Sequence, residues 1–188
     1  MLAMGCDMQQ SRDVVITNPL GFHVRPIQRF AEMAKAFRGE VSVSVEDRSA
    51  SGKSTLALMS LQAVHGSHLQ ISTCGEDASQ ALEVLSMLVE NDFYVEEVAR
   101  EVLPADRHLS RLASLASCFE SEVWVDVDGE RANGRSVEEL GKIGLTPLSA
   151  VSFEIRGKDA EQARRVLESL VNYHFYVEEE AAPGKGAG

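Results

Sequence analysis

His23, Arg25 and Pro26 sit within Asn-Pro-Leu-Gly-Phe-His-Val-Arg-Pro, residues 18–26, and can do chemistry together. Imidazole is a nucleophile near neutral pH, and a guanidinium two residues on can fork around phosphate oxygens. Gly21 allows the tight backbone turn such a loop needs. The apolar residues that follow (Ile27, Phe30, Ala31, Ala34, Phe37) recur at helical spacing, which puts His23 near an N-cap. Pro26 then falls in the first turn, where its missing N–H costs nothing. A phosphoryl group on His23 would meet backbone N–H groups, the positive end of the helix dipole and Arg25. The chemistry implied is formation of a phosphohistidine. A helix-start histidine beside a surface arginine is the ordinary alternative, and the rest of the chain decides between them.

The elements that must hold this loop occur twice. Phe-Arg-Gly-Glu-Val-Ser-Val-Ser-Val at Phe37 recurs as Phe-Glu-Ser-Glu-Val-Trp-Val-Asp-Val at Phe119, 82 positions later. The same offset aligns Gly52 with Gly134, Ser54 with Ser136, Leu58 with Leu140 and Asp77 with Asp159. Phe-Tyr-Val-Glu-Glu closes both copies, at Phe93 and Phe175. No gap is needed from Leu20 to Glu97, and about a third of the pairs are identical. This is a duplicated unit of domain size.

Within copy one the pattern predicts a strand over 13–17, a helix over 23–38 and a strand over 40–45. A turn-rich stretch through 47–52 follows, then a short helix over 54–61 with Ser54 as N-cap. A strand over 69–73 and a helix over 77–89 complete it. The expected class is α+β, with helices on one face of an antiparallel sheet. The expected division is a disordered start over 1–11, one domain over 12–94, a second over 95–180 and a flexible tail over 181–188. Copy two would begin with a strand over 95–103, and the recurring Phe-Tyr-Val-Glu-Glu could add an edge strand.

Composition narrows the function. The 188 residues carry a net charge of −11, which argues against a nucleic-acid binder. Residues 11–97 and 98–188 each carry −5, as two similar units would. No apolar run has the length of a membrane span, and the start at Met1–Met8 lacks the basic and apolar regions of a signal peptide, so a cytoplasmic protein is expected. Cys6, Cys74 and Cys118 are widely spaced with no Cys-x-x-Cys, and read as reduced thiols. Neither a metal nor a cofactor is implied. His65-x-x-His68 has a ligand-like spacing but no supporting carboxylate or cysteine. His108, His174 and Trp124 read as packing, solvent or interface residues. Ser51-Gly52-Lys53-Ser54-Thr55 mimics the end of a nucleotide-binding loop, but Asp47 stands where that motif needs glycine.

These motifs together resemble HPr, the histidine-containing phosphocarrier of the bacterial phosphotransferase system. The residues that carry the resemblance are those around His23, Gly-Lys-Ser-Thr-Leu-Ala-Leu-Met-Ser-Leu over 52–61 and Gly-Glu-Asp-Ala-Ser-Gln-Ala-Leu from Gly75. It covers 13–91, while copy two matches in scaffold alone. The resemblance implies two open-faced β-sandwiches, each with four antiparallel strands under three helices. It implies a carrier rather than an enzyme: His23 accepts a phosphoryl group from Enzyme I and passes it to a downstream protein, with Arg25 steadying the phosphate and Pro26 shaping the loop. Ser54 matches the serine phosphorylated by an HPr kinase in some members. Ile27, Leu56 and Met59 match partner-docking positions. Val24 and Phe22 are bulkier than the family's usual residues there. Copy two lacks the nucleophile: Ala105 replaces His23, Leu103 replaces Gly21 and His108 replaces Pro26, while Arg107 remains. Glu138 and Glu139 replace Leu56 and Ala57. A scaffold, dimerisation or regulatory role is left for it. The other functional class open to the chain is a regulatory binding protein, in which phosphorylation of His23 or Ser54 controls partners without onward transfer.

Overall fold

The computed structural model describes residues 9–91, 93, 105–145 and 150–174. In chain order the elements are β1 (Gln9–Val15), α1 (Val24–Ala36), β2 (Glu40–Val45), β3 (Arg48–Ser51), α2 (Thr55–Met59), β4 (His68–Cys74), α3 (Ala78–Glu90), α4 (Ala105–Ser117), β5 (Glu122–Val127), β6 (Glu130–Asn133), α5 (Val137–Lys142), β7 (Val151–Arg156) and α6 (Ala160–His174). Copy one builds an antiparallel sheet in the order β1-β4-β2-β3, and copy two a sheet in the order β6-β5-β7. The strand expected over 95–103 lies outside the described residues, as do the second Phe-Tyr-Val-Glu-Glu and the tail.

Alternation makes the sheets one-sided. Val41, Val43 and Val45 on β2 and Leu69, Ile71 and Thr73 on β4 turn inward, and Val123, Val125 and Val127 do the same on β5. Side chains repeat every second residue in a strand, so one face becomes apolar and the helices cover it. Ile27, Phe30, Ala31 and Ala34 turn α1 onto that face. Each fully buried large side chain contributes about 2–3 kcal/mol by leaving water.

The two copies share a polar frame as well as a core. Asp77 accepts from the N–H groups of Arg38 and Gly39 at 2.6 and 2.9 Å. Its counterpart Asp159 accepts from Glu120 and Ser121 at 2.7 and 2.9 Å. Lys53 donates to the Phe37 carbonyl at 2.7 Å, and Arg135 to that of Phe119 at 2.6 Å. The Lys53 amine thus serves the carbonyls that follow α1, where a cation opposes the helix dipole. In both copies the hairpin turn holds an acidic residue at positive φ, Glu46 (52°) and Asp128 (51°).

The copies also touch. α6 packs against α1, and Gln80 on α3 donates to Asp159 at 2.6 Å and to the Cys118 carbonyl at 3.2 Å. Burial on α1 accordingly extends beyond the sheet face to Arg29, Met33 and Ala36.

Two expectations need correction. β1 runs Gln9–Val15 rather than over 13–17, because Gln9 to Asp13 pair with Cys74 to Gln70 through the backbone while exposing their side chains. A strand held by ladder bonds alone has no apolar period to read. The cysteines are not all reduced. Cys74, at the end of β4, is disulfide-bonded to a partner outside the described residues, and Cys118 is free. Wide spacing in sequence carries no information about which thiols the fold brings together.

Candidate functional site

The loop from β1 to α1 is fixed turn by turn. Asn18 is buried; its Oδ1 accepts from the Leu20 N–H at 2.9 Å, and its carbonyl accepts from Gly21 at 2.9 Å. Gly21 has φ +72°, and a Cβ there would lie 2.8 Å from Val64 Cα and 3.0 Å from the Ala63 oxygen. Both the left-handed backbone and the close approach demand glycine. Phe22 donates from its amide to Ala63 at 3.0 Å, and its ring stacks on Phe93 at 5.1 Å and meets Phe30 edge-on at 5.8 Å. The residue before His23 is therefore anchored in the core.

His23 is the N-cap of α1 in extended backbone (φ −91°, ψ −170°), and its carbonyl accepts the first helical bond, from Ile27, at 3.0 Å. The residue is half-buried, with its Nε2 shielded from solvent. Helix geometry leaves the amides of Val24 and Arg25 without intrahelical acceptors. Pro26 is buried at the third helical position and has no amide to satisfy. The first turn carries no acidic residue, so nothing there repels an incoming phosphate. Arg25 is exposed beside the histidine.

Leu56 (81% exposed), Met59, Leu20, Val24 and Val64 are exposed apolar side chains. Leu56 and Met59 lie on or at the end of α2, which packs against α1; the other three lie on the loop, the helix start and the turn beneath Gly21. Ile27 does not join them. It is 2% exposed and packs in the core, so the docking role expected of it is corrected: it shares the helical phase of Phe30, Ala31 and Ala34, and that phase faces the sheet.

Ser54 caps α2, its Oγ accepting from Ala57 at 3.3 Å, and Ser136 caps α5 from Glu139 in the same way. Asn18, His65 and Phe93 were not singled out by sequence reasoning as parts of the site. Phe93 accounts for the start of the first Phe-Tyr-Val-Glu-Glu: its ring lies under Phe22 and its carbonyl accepts from Arg29 at 3.3 Å. Among the described residues no group of three or more histidine, cysteine or acidic side chains could hold a metal, and no helix is long and apolar enough to cross a membrane. Trp124 is half-buried on β5 with the Arg131 guanidinium 5.0 Å above its ring.

The fold and the site define a small α+β module with a histidine presented at a helix start and exposed apolar side chains on the neighbouring loop, turn and short helix. Comparison with known proteins gives this module its family. The model of the family described as "PTS HPr component phosphorylation site" matches residues 10–91 and again residues 105–173. The chain belongs to the HPr family of phosphotransferase-system phosphocarriers, in tandem duplication. The phosphocarrier protein HPr of Haemophilus influenzae is 43% identical over 79 residues, which are 42% of this chain and 93% of that protein. HPr of Neisseria meningitidis serogroup B is 34% identical over 82 residues, 44% of this chain and 92% of that one. The crystal structure of HPr from Bacillus anthracis covers 44% of this chain and 99% of its own at 29% identity, with a TM-score of 0.43.

Proposed function

We propose that His23 accepts a phosphoryl group from a phosphorylated protein of the Enzyme I type and donates it to a downstream acceptor protein. The observation that carries this reading is the position of His23: N-cap of a helix whose first turn is free of acidic residues, with Arg25 exposed alongside. With Nε2 shielded, the attacking atom is Nδ1. Its lone pair takes the phosphorus as the donor's bond to phosphorus breaks. The amides at the helix start and the Arg25 guanidinium then stabilise the phosphoryl oxygens. Exposed Leu56 and Met59 supply the apolar contact through which donor and acceptor dock in turn. Ser54 is proposed as a regulatory phosphorylation position: a phosphate there would put negative charge beside Leu56 and Met59 and weaken docking.

Copy two, with alanine at the histidine position, carries no phosphate under this reading. The test is transfer of labelled phosphate from phosphoenolpyruvate through Enzyme I. The wild type takes label, His23→Ala takes none, and Arg25→Ala takes it more slowly with an unchanged melting temperature. Equal labelling of wild type and His23→Ala, or no labelling of the wild type, would refute the carrier role. A labelled protein that gives its phosphate to no acceptor would mark a regulatory protein instead.

A further inference from the structure

We infer that His65 is a positioning residue for the phosphorylation loop, acting through the Thr17 carbonyl on the placement of His23. The inference rests on the reading of His23 as phosphoryl acceptor. Its Nδ1 lies 3.1 Å from the Thr17 oxygen. A carbonyl has no proton to give, so Nδ1 carries the hydrogen and donates it.

This contact belongs to a set that ties the loop over 16–22 to the turn over 63–67. Ile16 donates to Ser67 at 3.0 Å and Gly66 donates to Ile16 at 2.8 Å, prolonging the β1–β4 ladder. Phe22, next to His23, donates to Ala63 at 3.0 Å. Between these backbone ties the loop departs from the strand, and there His65 supplies a side-chain bond. Gly21 rests directly on the Val64–His65 backbone. The turn is itself stiffened, since the Ser67 hydroxyl accepts from the Val64 amide at 3.0 Å.

The second copy isolates what this arrangement is for. The Asp77 and Asp159 clamps, the Lys53 and Arg135 caps and the Ser54 and Ser136 caps are retained across the duplication. The rewritten positions include both sides of the loop contact together: Gly21 becomes Leu103, His23 becomes Ala105, His65 becomes Pro147 and Gly66 becomes Leu148. Proline 147 has no side-chain donor. Ser67, which stiffens the turn, persists as Ser149, so the change falls on His65 and Gly66, along with the histidine.

His65 is exposed and buries no core surface, so its removal tests position rather than stability. The experiment uses the full chain as wild type, His65→Ala and His65→Asn, whose amide can donate to Thr17 as Nδ1 does. The readouts are phosphoryl acceptance at varied concentrations of phosphorylated Enzyme I, the NMR resonances of the His23 ring, and the melting temperature. His65→Ala is expected to lower the maximal rate about fivefold, the equivalent of one net hydrogen bond. KM for the donor should hold, the melting temperature should fall by no more than about 2–4 °C, and the His23 ring resonances should move. His65→Asn should restore rate and resonances. An unchanged rate and ring spectrum in His65→Ala, or equal loss in both variants, would overturn the inference. Should the wild type accept no phosphate, the proposed function fails, and the ring resonances of the two variants still decide whether His65 positions His23.

Discussion

Gly21→Ala measures how much of the site depends on close backbone approach. The left-handed φ of +72° costs an alanine about 1–2 kcal/mol. The new methyl would also sit 2.8 Å from Val64 Cα and 3.0 Å from the Ala63 oxygen. Those are backbone atoms, which cannot rotate aside, so the loop must lift and weaken the Phe22–Ala63 bond at a further cost of about 0.5–1.5 kcal/mol. The sum is about 2.5 kcal/mol, or a fall of about 5–10 °C in melting temperature for a chain of this size. Gly129→Ala is the matched control: its φ is +88° but nothing lies within 4 Å of the added Cβ. It bears the strain alone, about 3–6 °C, and leaves phosphorylation unchanged. Thermal melts and phosphoryl acceptance should be measured on both variants. If Gly21→Ala melts no lower than Gly129→Ala, the close approach is not a constraint. If it accepts phosphate at the wild-type rate, the course of the loop does not matter to His23.

Phe93→Ala should cost about 3–5 kcal/mol, because it empties a fully buried site and removes the ring stacked on Phe22; chemical denaturation checks this, and a loss below 1 kcal/mol would mean that the ring is not part of the core. Cys118 should alkylate slowly at pH 8, since burial, then the neighbouring Glu83 carboxylate, push its thiol up to about 12. Glu83→Gln should speed iodoacetamide labelling. Around Asp159, burial raises the pKa, but bonds from the Ser121 hydroxyl, the Glu120 amide, Gln80 and the Ser121 amide outweigh it and hold the carboxyl below its ordinary value. A depressed carboxylate contributes stability above its unfolded pKa and loses it as pH falls through the folded one. Melts across the acid range should therefore decline less steeply for Asp159→Asn than for wild type.

The sequence made the backbone course of residues 18–26 legible because glycine and proline each have a distinct backbone role before and within the first turn of a helix. The duplication made the frame legible, since Asp77 with Asp159 and Lys53 with Arg135 keep their bonds at one offset. What stayed hidden depends on contacts distant in sequence. Nothing in the spacing of His65 points to Thr17, 48 positions away, and nothing in Phe-Tyr-Val-Glu-Glu tells that Phe93 lies under Phe22. Ile27 failed for another reason: its own periodicity pointed inward, and a docking role transferred from the family overrode it.

The same contrasts bear on why a module without its histidine stays attached. Copy two keeps the frame, and it uses part of that frame to hold copy one: Asp159, which clamps Glu120 and Ser121, also takes the Gln80 amide from α3. A change that weakens the clamp therefore weakens the joint. The joint lies on helices α1, α3 and α6, whereas Leu56 and Met59 remain exposed at α2. Copy two thus supports α1 along the flank next to α6 while leaving the α2 side open. Its Glu138 and Glu139, exposed on α5 at the positions of Leu56 and Ala57, replace apolar surface with charge. If partners dock through Leu56 and Met59 as proposed, that substitution would keep them from settling on the module with no histidine to offer.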